Sequence, residues 1–596
     1  MNITAFSALL SVSIGLTGIT SAIANNDKDD KFAYLPGDFH QHSLYTDGGR
    51  PFFELNRQNF NYGLDWWANS EHGGERNRDG VGHYWSDPKW YPDNPIQGDV
   101  EYSGSSGSCV DLDGGNRCQE MWRWQSLRDY VYPDIEIVRA TFPDNTVISG
   151  LEWNVPGHEH CSTAIYQYNN TATAISEFEF RFDRSDDDTS RNGEPSLLNT
   201  PELGNVLSKT NDDEDDAILG VKWMQAMKDA GIGDAWVVPA HVERAWSYTI
   251  EDFRNWQDAG PDVVLGAEFA PGHQTSSDRG FGRTSLGGGT YGGTGFYAAT
   301  VGGLWDGLLA EGRKFYNFVS SDYHWHWGDG GSDFWPGEYQ KTYTYINTKA
   351  KDKIKAVFKG IRSGNSWNVQ GDLIDSLEFT ASSKGETAMM GQTLKVQKGK
   401  PVRIKIKVRD PETPNNCPFE LNNPSLEQIG IKQPLNMPEL DHIDVIAGSI
   451  TGNVPETSFD ANGRPDPDAT DYGTNAQVIQ TFYREYGKDK KGYLVFVMKI
   501  WPKEDMFIRL RGTNLPANVP YETDAAGNPL ADSEANDNIY QLMETEAEGY
   551  NGLTNKLLNL HLMDDLRIST IDKLDDVLEA YADLWFYSNP IFIKVK

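Results

Sequence analysis

The stretch Tyr34-Leu35-Pro36-Gly37-Asp38-Phe39-His40-Gln41-His42-Ser43-Leu44-Tyr45-Thr46-Asp47-Gly48 decides how this chain is read. Its first part, Tyr34–His42, has the composition of a strand. Residues i and i+2 of a strand project to the same face. His40 and His42, at the strand end, therefore reach one point together. Imidazole is the commonest side-chain ligand for transition-metal cations. Asp47 follows just beyond the strand, where a turn can swing its carboxylate back over that point.

The pattern recurs along the chain. There are 12 His in 596 residues. Random placement gives about a quarter of one His-x-His pair, yet three occur: His40/His42, His158/His160 and His324/His326. Further candidate strands are Asp65–Glu71, Thr146–Asn154, His160–Tyr168, Ala235–His241, Val263–Ala270 and Phe315–Asp322. Ionisable residues gather at their C-terminal ends: His72 after the second, Glu152 in the third, His241 after Pro239-Ala240, and Asp322 and His324 after Ser320-Ser321. His160 is the exception, because it opens its strand. His158 competes with it, and His160 is preferred because Cys161–Tyr168 continues as strand.

Helical stretches separate these strands: Pro51–Tyr62, Trp122–Ala140, Asp216–Ala230, Ile250–Ala259 and Leu304–Arg313. Strand–helix alternation predicts βαβ units and a mostly parallel sheet, either closed like a barrel or open. Barrel enzymes draw their active sites from the C-terminal ends of several strands. Residues 183–216 are polar and Asp-rich, and read as a solvated loop or lid; no EF-hand spacing supports a calcium site there. Past Gly371 the pattern becomes antiparallel: Leu377–Thr380, Pro401–Val408, Gly492–Ile500 and Met506–Leu510 alternate like strands. A helix-like stretch, Ile571–Trp585, and a strand, Pro590–Val595, follow. The expected organisation is thus a catalytic unit over 32–371 and a β-rich unit over 372–596.

Composition narrows the function. The net charge of −34 repels phosphate backbones and acidic membranes, so a nucleic-acid partner is not expected. Bound cations can reverse that potential locally, which leaves small anionic substrates open. Ala5–Ile19 is apolar, and Ala22-Ile23-Ala24 fits a small-residue cleavage site. Residues 1–24 therefore read as a signal peptide and predict a periplasmic or secreted protein. No other segment has the roughly 20 apolar residues of a membrane span. Export permits disulfides. Cys109 and Cys118, flanking a Gly- and Asp-rich loop, are the expected pair, with Cys161 and Cys417 left over.

The motifs His40-x-His42-Ser43…Asp47-Gly48, Ser70-Glu71-His72, Gly150-Leu151-Glu152, His160, Ala240-His241 and Ser321-Asp322-x-His324, in this order, resemble the PHP (polymerase and histidinol phosphatase) metallohydrolases. The resemblance implies an α/β fold, a distorted seven-stranded, TIM-like β/α barrel, with an additional C-terminal antiparallel β domain. It implies two or three divalent ions (Zn, Mn or Fe). His40, His42, Glu152 and Asp322 would hold the first; Glu152, His160 and His241 the second; Asp47, His72 and His324 the third. Glu71 stands where the family usually has Asp, and Val242 where Pro commonly follows the His. Leu308–Arg313 and Trp585–Ile591 are similar to the carbaryl-hydrolase-like subgroup.

The implied chemistry is hydrolysis of a small-molecule ester by metal-activated water, and no GxSxG or Walker loop argues for another route. A phosphoester needs basic contacts. Arg76 and Arg244 closely follow ligands, and Arg283 lies in a Gly-rich loop. His326, His273 and His83 are candidate proton donors or substrate contacts. Trp325 and Trp327 are candidate pocket walls, while Trp66 and Trp67 are better read as core. Phosphoester hydrolysis follows from the superfamily and carboxyl-ester or carbamate hydrolysis from the subgroup. A non-catalytic, secreted glycan-binding protein with a structural metal is the third reading.

Overall fold

The structure is a computed structural model that describes residues 31–72, 78–97, 101–103, 118–185, 187–244, 248–276, 279–281, 290–452, 474–489, 491–532 and 571–596. Side chains within 101–103, 118–120 and 571–575 lie outside the description. So do the expected signal peptide, Arg76, Arg283 and the Cys109 partner of the expected disulfide. Cys161 and Cys417 are buried free thiols.

Eight short strands position the site: β1 (Phe32–Asp38), β2 (Trp66–Ala68), β3 (Thr146–Ile148), β4 (Gly150–Asn154), β5 (His160–Gln167), β6 (Gly233–Pro239), β7 (Gly266–Ala270) and β8 (Tyr316–Val319). β1, β2 and β3 run parallel, as do β7 and β8. β4, β5 and β6 form a separate antiparallel sheet. Isolated parallel bridges, Gln41 to Tyr323, His72 to Glu152 and Val237 to Val264, join the pieces.

Among the described residues the strands close no barrel, and the expected seven-stranded barrel is corrected to a mixed α/β fold of several sheets. Two features explain the difference. β5 returns antiparallel through a tight turn instead of a helical crossover. The other edge of β1 pairs antiparallel with β9 (Gln340–Asn347), which pairs with β10 (Ser366–Gln370). That sheet then runs on through Trp585–Ser588 and Met506–Thr513. Strand β1 is thus tied to residues near the end of the chain.

Helices follow the apolar spacing closely. Helix Phe52–Asn61 buries Phe52 and Leu55, and helix Ile250–Ala259 starts with a Thr249/Asp252 capping box. The expected helix from Trp122 is helical over Arg123–Thr141, with a π-turn at Leu127–Val131. Helix Thr171–Phe182 has no polar face to signal it: Glu177, Glu179 and Arg181 are all buried. The cause is the 183–216 segment, which is mostly exposed but folds over it as a hairpin, Pro195–Thr200 and Gly204–Val206. Leu198 and Leu203 join the main core, and Glu177 accepts from the Leu197 N–H at 2.7 Å and from the Trp223 indole at 3.0 Å.

The C-terminal part packs an antiparallel sheet (Ser376–Ser383, Glu386–Met389, Val402–Arg409, Leu494–Ile500) against the long sheet over a second apolar core. The fully buried Arg509 grips Asp306 through two bonds of 2.7 and 2.8 Å, joining the strand Met506–Thr513 to helix Leu304–Ala310. No helix among the described residues is long and apolar enough to cross a membrane.

Candidate metal centre

The ends of β1, β2, β4, β6 and β8 and the start of β5 bring nine residues together: His40, His42, Asp47, His72, Glu152, His160, His241, Asp322 and His324. Glu152 is the hub. Its Oε1 lies 3.2 Å from His40 Nε2, 2.9 Å from His160 Nδ1 and 3.1 Å from His241 Nε2. Its Oε2 lies 3.2 Å from His42 Nε2 and 3.0 Å from His72 Nδ1. Asp322 Oδ1 stands 3.1 Å from His40 Nε2 and 3.6 Å from His324 Nδ1. Asp47 Oδ2 reaches His72 Nε2 at 3.2 Å and His324 Nε2 at 3.5 Å.

Four overlapping sets each place one ligand atom per residue within 4.8 Å of the others: His40/His42/Glu152/Asp322, His42/Asp47/His72/His324, His72/Glu152/His160 and His273/Asp322/His324. His241 attaches through Glu152. Residues that belong to two sets, such as Glu152 and Asp322, can bridge neighbouring cations.

The donor set fits divalent cations on an observation independent of the pattern. His42 Nδ1, His72 Nδ1, His241 Nδ1, Glu152 Oε2 and Asp322 Oδ1 are buried, and the cluster atoms close to them meet them without hydrogen-bond geometry. Buried polar atoms are nearly always satisfied. The Nε2 atoms of His40 and His42 also face each other at 3.0 Å, an approach of ring nitrogens that a shared positive charge resolves.

The electrostatics agree. Burial works against the ionised carboxylates, yet the imidazoles around them hold Glu152 and Asp322 well below the usual carboxylate range and lower Asp47 as well. Burial also disfavours charged imidazole, and it lowers His72 to about 4 against Glu152 and Asp47. At His324 burial is outweighed by Asp47, Asp322 and Asp333, which raise it to about 10. Against burial, the same carboxylates raise His40 and His42, so the buried anionic oxygens demand positive charge, which protonated imidazole supplies here and a bound cation would supply in its place.

Further carboxylates position the donors, and sequence reading missed their roles. Glu268 on β7, 2% exposed, sets its Oε2 3.0 Å from His40 Nδ1. A metal-ligating His commonly has its other nitrogen held by a carboxylate. The signal was a lone acid inside the apolar segment Leu265–Ala270. Asp38 accepts from the N–H groups of His40 (2.9 Å) and Ser321 (2.8 Å), locking the His40 and Asp322 loops together. Glu71 takes both Ser43 and Thr46 hydroxyls, which folds the turn leading to Asp47. Asp333 accepts from the N–H groups of His324 (2.7 Å) and Trp325 (2.9 Å), and its Oδ1 lies 2.7 Å from His273 Nδ1.

Backbone strain collects here: His241, His273 and Asp322 have φ of 32°, 57° and 45°. Non-glycine residues in that region commonly mark functional sites.

The other candidates sit as follows. Arg244 stacks 4.7 Å over Phe281, whose ring is 4.9 Å from His241, and its Nη1 is 3.7 Å from Glu159. His326 engages both nitrogens away from the cluster, with Glu338 Oε2 at 3.0 Å and the Gly328 N–H at 3.1 Å. His83 pairs with Asp79 and stacks on Trp90. Trp66, Trp67 and Trp327 are core, whereas Trp325, the neighbour of His324, is 52% exposed. Trp325, Gly49, Arg50 and Asp329 line an open cleft of about 340 Å³.

No family model matches this chain, and no curated protein matches it. Among solved structures it is similar to a two-domain protein from Bacteroides vulgatus containing a predicted PHP-like metal-dependent phosphoesterase, at 11% identity and a TM-score of 0.30, over 84% of this chain and 94% of that one.

Proposed function

We propose that this chain is a metal-dependent hydrolase of small-molecule esters, in the first place a phosphoesterase. The observation that carries the reading is the gathering of seven other donors about Glu152 and Asp322, with buried donor atoms left unsatisfied. Two or three ions of Zn, Mn or Fe suit the mixed nitrogen and oxygen set. His40, His42, Glu152 and Asp322 would hold one; Glu152, His160 and His241 the next; Asp47, His72 and His324 another. Such ions lower the pKa of water to about 7 and polarise the ester oxygen.

The chain's own residues do the rest. Glu268 fixes the His40 ring, and Asp38 fixes the two loops that carry His40 and Asp322. Asp333 orients His273 beside Asp322 and His324, where it is placed to hold a proton for a leaving oxygen. Arg244 stands near the His241 edge as an anion contact. The exposed face of Trp325 gives a planar substrate group a surface on which to lie.

The finer assignments belong to the same proposal: a catalytic unit over 32–371, a β-rich unit over 372–596, and export directed by residues 1–24.

Metal-replete protein assayed on p-nitrophenyl phosphate, bis-p-nitrophenyl phosphate and 1-naphthyl esters tests the function. Chelator-sensitive release of p-nitrophenol from the phosphates supports it. Turnover of 1-naphthyl esters alone assigns a carboxyl-ester or carbamate hydrolase instead. No turnover on the whole panel, together with polysaccharide binding, would leave a glycan-binding protein.

A further inference from the structure

A second group of ligating side chains shares no residue with the centre above. His158, Glu214 and Asp252 each offer one ligand atom, and these atoms lie within 4.8 Å of one another. They come from three separate segments. His158 sits in the turn between β4 and β5, Glu214 opens helix Glu214–Asp229, and Asp252 lies in the first turn of helix Ile250–Ala259.

Each donor is held from behind. Glu214 Oε1 accepts from the Trp256 indole N–H at 2.9 Å, which leaves Oε2 against His158 Nε2. Asp252 Oδ2 accepts from the Thr249 N–H and hydroxyl, both at 2.7 Å, while Oδ1 stands 4.0 Å from His158 Nε2. The His158 ring lies flat on Tyr248, centroids 5.0 Å apart and planes 11° from parallel, with Trp256 edge-on. Its backbone is fixed too, the N–H on Val155 O at 3.1 Å and the carbonyl on Arg184 at 2.6 Å. Bonds on the remaining atoms thus aim three donors at one point, as groups behind metal ligands do. A plain ion pair would need only His158 and Glu214. The second carboxylate brought to the same nitrogen is a like charge beside Glu214, and a cation between them turns that repulsion into attraction.

We propose that His158, Glu214 and Asp252 form a separate site for one divalent transition-metal ion of the Zn²⁺ type. One imidazole nitrogen and two carboxylate oxygens suit Zn²⁺. Ca²⁺ takes about six to eight oxygens and is poorly served by three donors, one of them nitrogen. The ion has a structural role. It clamps the turn before β5, which opens with His160, to the helix that follows the His241 loop. It therefore braces two ligand-bearing segments from outside, and it does not depend on what reaction the main centre runs.

The test uses the full chain, stripped of metal and titrated with Zn²⁺ against a chromophoric chelator. His158→Ala and Asp252→Asn are each expected to bind one ion fewer than wild type and to lose part of the Zn²⁺-induced rise in Tm. Both are expected to keep the metal-dependent activity of the main centre, if it has one. Asp252→Asn retains the acceptor for Thr249, so it reports even where His158→Ala folds poorly. Zinc-edge anomalous diffraction is expected to show a peak between the three side chains. Equal zinc stoichiometry in wild type and both variants, or no peak there, makes the contact an ion pair only and overturns the proposal.

Discussion

Replacing Glu268 by glutamine removes one charge from behind His40 and changes the side-chain volume little. The magnitude follows from the contact. Glu268 Oε2 is 3.0 Å from His40 Nδ1, and the two side chains are 2% and 0% exposed. A charge-assisted hydrogen bond contributes about 1.5–3 kcal/mol. At about 1.4 kcal/mol per tenfold, that is a 10- to 100-fold loss of affinity for the ion His40 helps hold, the range seen when a carboxylate behind a ligating His is removed. The assay is competition for Zn²⁺ or Mn²⁺ with a chromophoric chelator, with circular dichroism as a check on folding. A folded Glu268→Gln protein that held metal as tightly as wild type would refute the assignment of His40 as a ligand oriented by Glu268.

Four further outcomes are expected. Asp333→Asn loosens His273, the donor His324 and the Trp325 backbone together; metal affinity or kcat should fall about 10- to 100-fold, and wild-type values of both would contradict this. Trp325→Ala should raise KM for aryl phosphates about fivefold, from about 1 kcal/mol of ring contact, and leave alkyl phosphates unchanged. Gly37→Ala places a methyl 1.9 Å from the Trp66 ring, between β1 and β2; urea titration should show a loss of about 1–3 kcal/mol. Glu522 sits with Asp532, Glu579 and Asp583 near one buried cation, Arg279; burial first, then Asp532, pushes its carboxyl up to about 7. A raised carboxyl stabilises the fold below its unfolded pKa, and that stability is lost as pH rises through about 7. Glu522→Gln should therefore flatten the fall of Tm between about pH 5 and pH 8, and an unchanged profile would remove this group as the cause.

The donors were legible because strand periodicity and histidine scarcity are local facts. His40 and His42 share a face at two-residue spacing, and His72, His241, Asp322 and His324 follow apolar runs that end in turns. Pairing is not local. Nothing in Cys161–Gln167 announces that β5 runs antiparallel between β4 and β6, and nothing in Tyr34–Asp38 announces that β1 pairs with Gln340–Asn347. Those partners are chosen by long-range packing, and they leave the sheet pieces open. The 183–216 segment was legible in part: most of it is exposed, as its Asp and Asn content implies, but Leu198 and Leu203 anchor its hairpin to the core. Glu268 hid as a single residue without a repeated spacing. A buried acid amid Leu265-Gly266-Ala267 nevertheless carries its own demand for a partner.

The central claim is that residues from His40 to His324 grip cations jointly through Glu152. Its most direct test is elemental analysis of the full chain purified without chelator, for wild type and Glu152→Gln side by side. The account predicts more than one equivalent of tightly held divalent metal in wild type and a loss from the shared centre in the variant. A wild-type protein that carries no tight metal, or a Glu152→Gln protein that keeps the full complement, would contradict it.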